Sequence, residues 1–171
     1  YSFGKSSDLD EIRQKLKNSV DMFRDVIDLD EKNIALLSRK DKIDIAIDLK
    51  GYTRDSRPKI FAYRAAPIQI NFLGYPGTIG ADFMDYIIAD AIIIPDNKRK
   101  SYSEKIIYLP FTYQPNSHSA SSVRKNFSKN EMELPEKGFI FCCFNNSYKI
   151  TPNEFNIWMR LLKRVDGSVL W

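Results

Sequence analysis

The chain has 171 residues, 43% of them hydrophobic and 13% aromatic, enough to build a globular core. No apolar run approaches the roughly 18 residues of a membrane-crossing helix, and no charged-then-apolar start reads as a signal peptide. The net charge of +4 suits anionic ligands, but the densest basic run, Lys98-Arg99-Lys100, reads as a solvated loop and not as a nucleic-acid patch.

Ser7-Asp8-Leu9-Asp10 opens a predicted helix with Ser7 as N-cap, and Leu9, Ile12, Leu16 and Val20 fall on one of its faces. Residues 22–28 predict a short strand. Asp30 caps a second helix carrying Ile34, Leu36 and Leu37. In KIDIAIDLKGYT, Ile43, Ile45, Ile47 and Leu49 alternate with Asp44, Ala46 and Asp48, the period of a strand. Ser56 caps a third helix with Pro58 in its first turn, and Pro67 ends it. Strands follow near 68–73 and 85–89, with further candidates at 91–95 and 106–110. Residues 114–137, rich in Ser, Asn and Lys, read as a linker. Beyond it, GFIFCCF reads as a buried strand and Thr151-Pro152-Asn153-Glu154 as a capping box. Phe155, Trp158, Met159, Leu162 and Val165 line one face of the helix that follows, and SVLW reads as another strand.

This alternation predicts an α/β fold with a mostly parallel sheet, divided into residues 1–113, a linker over 114–137, and a strand-helix-strand opening of a second unit over 138–171. The chain begins at Tyr1 and the second unit stops before it completes a core, so a piece of a longer protein is expected. Cys142 and Cys143 are strand neighbours pointing to opposite faces. They are poor disulfide partners and read as small hydrophobes in a reducing, cytoplasmic setting. The single histidine, His118, lies in the linker, and no catalytic triad or zinc site is built around it. Asp8-Leu9-Asp10 and Asp28-Leu29-Asp30 are D-x-D pairs of the kind that hold a divalent cation beside a diphosphate, but both coincide with helix starts, and capping explains them better. Asp44 and Asp48 share a strand face, which suits a structural or site-edge role.

Two loops stand out. NFLGYPGTIGADFMDY sets two glycines, a proline and a tyrosine between two strands. Pro76-Gly77 is a turn signal, and Gly74 directly follows a buried strand, where open α/β sheets bind ligands. The stretch reads either as a tight turn or as a ligand loop. FNNSYKITP joins a strand to a capped helix. Lys149 just ahead of that helix's free amides suits a phosphate, or is merely solvated; the glycines of a P-loop are missing.

Three stretches, GYTRDSRPKIFAYRAAPIQINFLGYPGTIGADFMDYIIAD, YSEKIIYLPFTY, and FCCFNNSYKITP through WMRLLKRVDGSVLW, strongly resemble the catalytic region of the O-GlcNAc transferases, glycosyltransferase family 41. The resemblance covers most of residues 42–171. It implies a GT-B fold of two Rossmann-like lobes, with 1–113 as the rear of the first and 138–171 as the start of the second. It implies inverting transfer of N-acetylglucosamine from UDP-GlcNAc to Ser or Thr hydroxyls of proteins, with no metal and no cofactor besides the donor substrate. It places Leu73, Gly74, Tyr75 and Pro76 beside the donor sugar and Asn146, Tyr148 and Lys149 at the nucleotide. Lys149 is then a catalytic cation on the diphosphate, and Arg57 a second catalytic residue giving electrostatic support. Asn146 stands where animal members have a glutamine, so its reach differs. The short linker, in place of a large inserted domain, is similar to bacterial members, which often follow TPR repeats. The expected partners are a nucleotide sugar, an acceptor protein and TPR repeats in the full-length chain, with no nucleic acid and no membrane. The family's acceptor-side histidine and aspartate align upstream of Tyr1, and most of its UDP-holding residues downstream of Trp171. The chain alone is therefore expected to lack transferase activity. The other reading is a non-catalytic nucleotide- or protein-binding module of the same ancestry.

Overall fold

The computed structural model describes residues 1–4, 10–116 and 127–171. Two compact units result, Tyr1–Asn116 and Ser117–Trp171. The first contains α1 (Glu11–Asn18), α2 (Glu31–Lys40), β1 (Ile45–Asp48), α3 (Lys59–Ala62), β2 (Ile68–Asn71), β3 (Tyr86–Ala89) and β4 (Lys105–Tyr108). The strands form one sheet in the order β1-β2-β3-β4, every pair parallel.

Short polar side chains set the helix starts. The Asp10 carboxylate accepts the amides of Ile12 and Arg13, and that of Asp30 accepts the amide of Asn33, so capping accounts for both aspartates. Ser7 and Asp8 lie outside the described residues. In α1 the apolar face is not the packed one: Ile12 and Leu16 are exposed and Val20 lies past the helix end, whereas Arg13 is buried and its Nη2 donates to both carboxylate oxygens of Asp25. Residues 22–28 form no strand. A single bridge pairs Ser2 with Asp25. Pro58, not Ser56, occupies the N-cap of α3, and the helix ends at Tyr63, where Arg64 turns to φ 56° ahead of Pro67. Residues 91–95 turn instead of extending, because the Asp90 carboxylate captures the amides of Ile92, Ile93 and Tyr113.

The core lies on one face of the sheet. Ile34 and Ala35 of α2, Ile60 and Phe61 of α3, Val26, Ile79 and Met84 pack there with Ala46, and Ile87, Ala89 and Ile94 form a second cluster. The alternation in β1 therefore has the right period, but its large side chains face away from this core. Ile45 and Ile47, with Ile68 of β2 and Ile107 of β4, are exposed on the opposite face.

The second unit pairs β5 (Ile140–Phe141) with β6 (Val169–Leu170) in parallel, joined through α4 (Pro152–Arg164). Pro152 sits at the first helical position as expected. The capping box is not completed: the Thr151 hydroxyl donates to the Glu154 carboxylate and accepts no helix amide. GFIFCCF is a shorter and wetter strand than its composition suggests, and none of residues 127–171 is buried. Trp158, Leu161 and Leu162 of α4 and Phe141 and Leu170 of the strands border a cavity of about 530 Å3. Both cysteines are free.

Candidate functional site

The carboxyl ends of β1 and β2 carry the loop that the sequence singles out. Leu73 has φ 78°, and the Gly74 amide donates back to the Phe72 carbonyl at 3.1 Å. A two-residue hydrogen bond around a positive φ is the strained form of the γ-turn, and a leucine there pays the full Cβ penalty. Such a conformation persists only where its surroundings fix it. Four side chains do so. Asn71 Nδ2 donates to the Gly77 carbonyl at 3.1 Å. The Tyr52 hydroxyl donates to the Ile79 carbonyl at 2.8 Å, and the Tyr102 hydroxyl to that of Pro76 at 3.0 Å. Glu104 accepts the Thr78 hydroxyl and the Ile79 amide, each at 2.6 Å.

Gly74 owes its identity to the chain itself. A Cβ on it would press into the Leu49 carbonyl and lie 2.9 Å from both Cα and O of Lys50. The segment after β1 thus crosses directly under the loop, and no side chain fits between them. The Tyr75 ring folds back over Gly77 in the same way. Beneath the loop, Asp48 Oδ2 and Asn71 Oδ1 are buried acceptors with no partner among the described residues. The other oxygen of Asp48 accepts the Lys50 amide at 2.9 Å.

In the second unit, Ser147–Lys149 form one 3-10 turn closed by the Lys149 amide on the Asn146 carbonyl at 2.9 Å. The turn delivers Asn146, Tyr148 and Lys149, all exposed, immediately ahead of α4. No described acidic group pairs with Lys149. An exposed cation beside the free amides of a helix start is chemically suited to an anionic group.

The model of the family described as glycosyl transferase family 41 matches residues 1–124 and 116–171. The chain belongs to glycosyltransferase family 41. It is 38% identical, over 97% of its own length and 18% of the relative's, to the probable UDP-N-acetylglucosamine–peptide N-acetylglucosaminyltransferase SEC of Arabidopsis thaliana. A Caenorhabditis elegans UDP-N-acetylglucosamine–peptide N-acetylglucosaminyltransferase is 42% identical over 63% of this chain and 9% of its own. Among solved structures, a lysine-to-methionine mutant of the Thermobaculum terrenum O-GlcNAc transferase superposes with a TM-score of 0.83 at 28% identity, covering 99% of this chain and 31% of that one. The parallel α/β fold expected from the sequence is the one observed. The chain spans under a fifth of the length of the plant relatives it matches.

Among the family 41 site residues expected from the sequence, Leu73, Gly74, Tyr75 and Pro76 lie together on the loop, and Asn146, Tyr148 and Lys149 together on the turn of the other unit. Arg57 belongs to the first unit and is held by the segment that opens α2. Its guanidinium donates to the Leu29 carbonyl at 2.6 Å and to Glu31 at 3.2 Å, and lies over the Phe3 ring. The helix-start amide of Glu31 itself, then the bond from Arg57, keeps the Glu31 carboxyl below its usual range. The described neighbours give Arg57 a bracing role between α2 and α3. Sequence reasoning missed Tyr52, Tyr102 and Glu104 as supports of the loop. The adjacent Ser103-Glu104, a hydroxyl and a carboxylate entering a strand, was the one local signal.

Proposed function

We propose that this chain forms part of a protein O-linked N-acetylglucosaminyltransferase, one that moves N-acetylglucosamine from UDP-GlcNAc to Ser or Thr hydroxyls with inversion and without a metal. The observation that carries this reading is the braced loop at residues 73–80, at the carboxyl ends of parallel strands in a family 41 chain. Leu73 to Pro76 offer a preformed backbone edge to the sugar. Lys149, helped by the amides opening α4 and by Asn146 and Tyr148, offsets the charge that grows on the leaving diphosphate. Arg57 supports the site from its bracing position. Acceptor protein and TPR repeats belong to the whole, cytoplasmic enzyme.

The 171 residues alone bind the nucleotide and do not transfer sugar. Titration calorimetry with UDP, UDP-GlcNAc and GDP, repeated on Lys149→Ala, tests this. Selective UDP binding that weakens about tenfold in the variant is expected for one lost charge-assisted contact. Equal affinity for GDP, or no effect of the substitution, would count against the reading, as would measurable transfer by the isolated chain. A second reading, a non-catalytic binding module, draws on the absence of any buried residue among 127–171. It predicts binding without turnover even when the chain is supplied within its longest natural reading frame.

A further inference from the structure

We propose that Glu104 is a positioning residue for the sugar-facing loop, holding residues 73–80 in the conformation that receives the donor. This rests on the reading of that loop as a donor site. Glu104 is 5% exposed, and both of its oxygens are committed to donors within or beside the loop. Oε1 takes the Ile79 amide at 2.6 Å. Oε2 takes the Thr78 hydroxyl at 2.6 Å and the Ser103 hydroxyl at 3.2 Å.

A buried carboxylate that serves only packing would be replaced at little cost by an apolar group. Glu104 instead spans 25 residues of chain to reach a loop whose own first residue is strained. The Thr78 hydroxyl relays the contact: it donates to Glu104 and accepts the amides of Gly80 at 2.9 Å and Ser103 at 3.3 Å. Two positions earlier in sequence, Tyr102 fixes the Pro76 carbonyl. Burial, then the neighbouring Tyr75 and Glu104, raises the Tyr102 pKa, so its hydroxyl stays a donor. The residues entering β4 therefore grip the far half of the loop, and the leucine turn at its near half stays fixed between that grip and β2. A loop held this way presents its backbone to a sugar without first losing conformational freedom.

The test compares the chain with Glu104→Ala and Glu104→Gln. Gln keeps an acceptor for the Ile79 amide but sets a donor against the Thr78 hydroxyl, whose oxygen already accepts the Gly80 and Ser103 amides, so it restores one of the two contacts. Hydrogen exchange of the 74–80 amides reports the grip, and titration with UDP and UDP-GlcNAc reports its consequence. In Glu104→Ala the Ile79 amide is expected to exchange at least about tenfold faster, and UDP-GlcNAc to bind about tenfold more weakly with UDP unchanged, as for one lost charge-assisted hydrogen bond. Glu104→Gln is expected to recover the protection of the Ile79 amide and part of the lost affinity. Unchanged exchange in Glu104→Ala overturns the positioning role. So does equal weakening of UDP and UDP-GlcNAc, which marks a general loss of structure. If the unsubstituted chain binds UDP-GlcNAc no differently from UDP, or binds neither, the donor reading of the loop fails. Faster exchange in Glu104→Ala would then assign Glu104 to folding alone.

Discussion

Asp48 and Asn71 are in-register partners on β1 and β2, and each ends in a buried oxygen that no described donor reaches. The Asn71 amide cannot simply turn over, because its nitrogen is held by the Gly77 carbonyl. Two acceptors on one sheet face repel, and one belongs to a carboxylate. Asp48→Asn keeps the acceptor for the Lys50 amide and places a donor toward Asn71. It is expected to stabilise the chain by about 1 kcal/mol, read as a higher urea midpoint at unchanged slope. A lower midpoint would mean that the Asp48 charge is needed where it stands.

Gly74 separates steric need from conformational need. A Cβ there meets backbone atoms of Leu49 and Lys50 that have no room to move. Gly74→Ala is expected to cost more than about 2 kcal/mol. Gly80 has φ 68° but open space around it, so Gly80→Ala carries only the left-handed penalty of roughly 1–2 kcal/mol. Denaturant melts of the two variants should rank them in that order.

The strained turn at Leu73 makes the reverse prediction. Leu73→Gly relieves a positive φ worth about 1 kcal/mol but frees the unfolded chain by roughly 0.5–1 kcal/mol. Stability is expected to stay nearly constant. If the side chain borders the donor sugar, affinity for UDP-GlcNAc falls while that for UDP does not. A titration in which both or neither change would remove Leu73 from the sugar site.

What the sequence disclosed and what it hid follow from the range of the interactions. The Asp30 cap is local chemistry and was legible; Pro76-Gly77 marked the loop, but the hydrogen-bonded turn forms earlier, at Phe72-Leu73-Gly74, with the positive φ on a leucine. The grip of Glu104 on Ile79 joins residues 25 apart and left almost no local trace. Residues 91–95 carry three isoleucines and read as a strand, yet one carboxylate two residues upstream of the first of them bends them into a turn. In β1 the alternation gave the period but not the side. Parallel sheets are apolar on both faces, so the larger residues need not mark the face that the helices of this unit cover. Arg57 was carried over by resemblance, and its bond to Glu31, 26 residues away, could not be read from its neighbours.

The Tyr1–Asp41–Arg24 group gives the stability a defined response at both ends of the pH scale. Asp41 accepts two guanidinium nitrogens of Arg24, each at 2.6 Å, and the Tyr1 hydroxyl at 2.7 Å. The Arg24 bond, then that of Tyr1, holds the Asp41 carboxyl below its usual range, so the folded state favours its ionised form. That contribution is fully present above the unfolded value of about 3.9 and is lost as pH falls through the lower folded value. Asp25, bonded by Arg13, and Asp90, bonded by the amides of Ile93 and Tyr113, act in the same direction. Tyr1 behaves oppositely. Burial first, then its bond to Asp41, pushes its hydroxyl up to about 12, so its contribution is complete below about 10 and lost as pH rises through the folded value. Thermal melts are therefore expected to be level from about pH 5 to 9 and to fall on both sides. Tyr1→Phe should flatten the alkaline limb and, through the lost bond to Asp41, a smaller part of the acid limb, while Asp41→Asn should flatten part of the acid limb and lessen the alkaline one. An alkaline limb that survives Tyr1→Phe unchanged would assign it to other groups and detach Tyr1 from the stability of this unit.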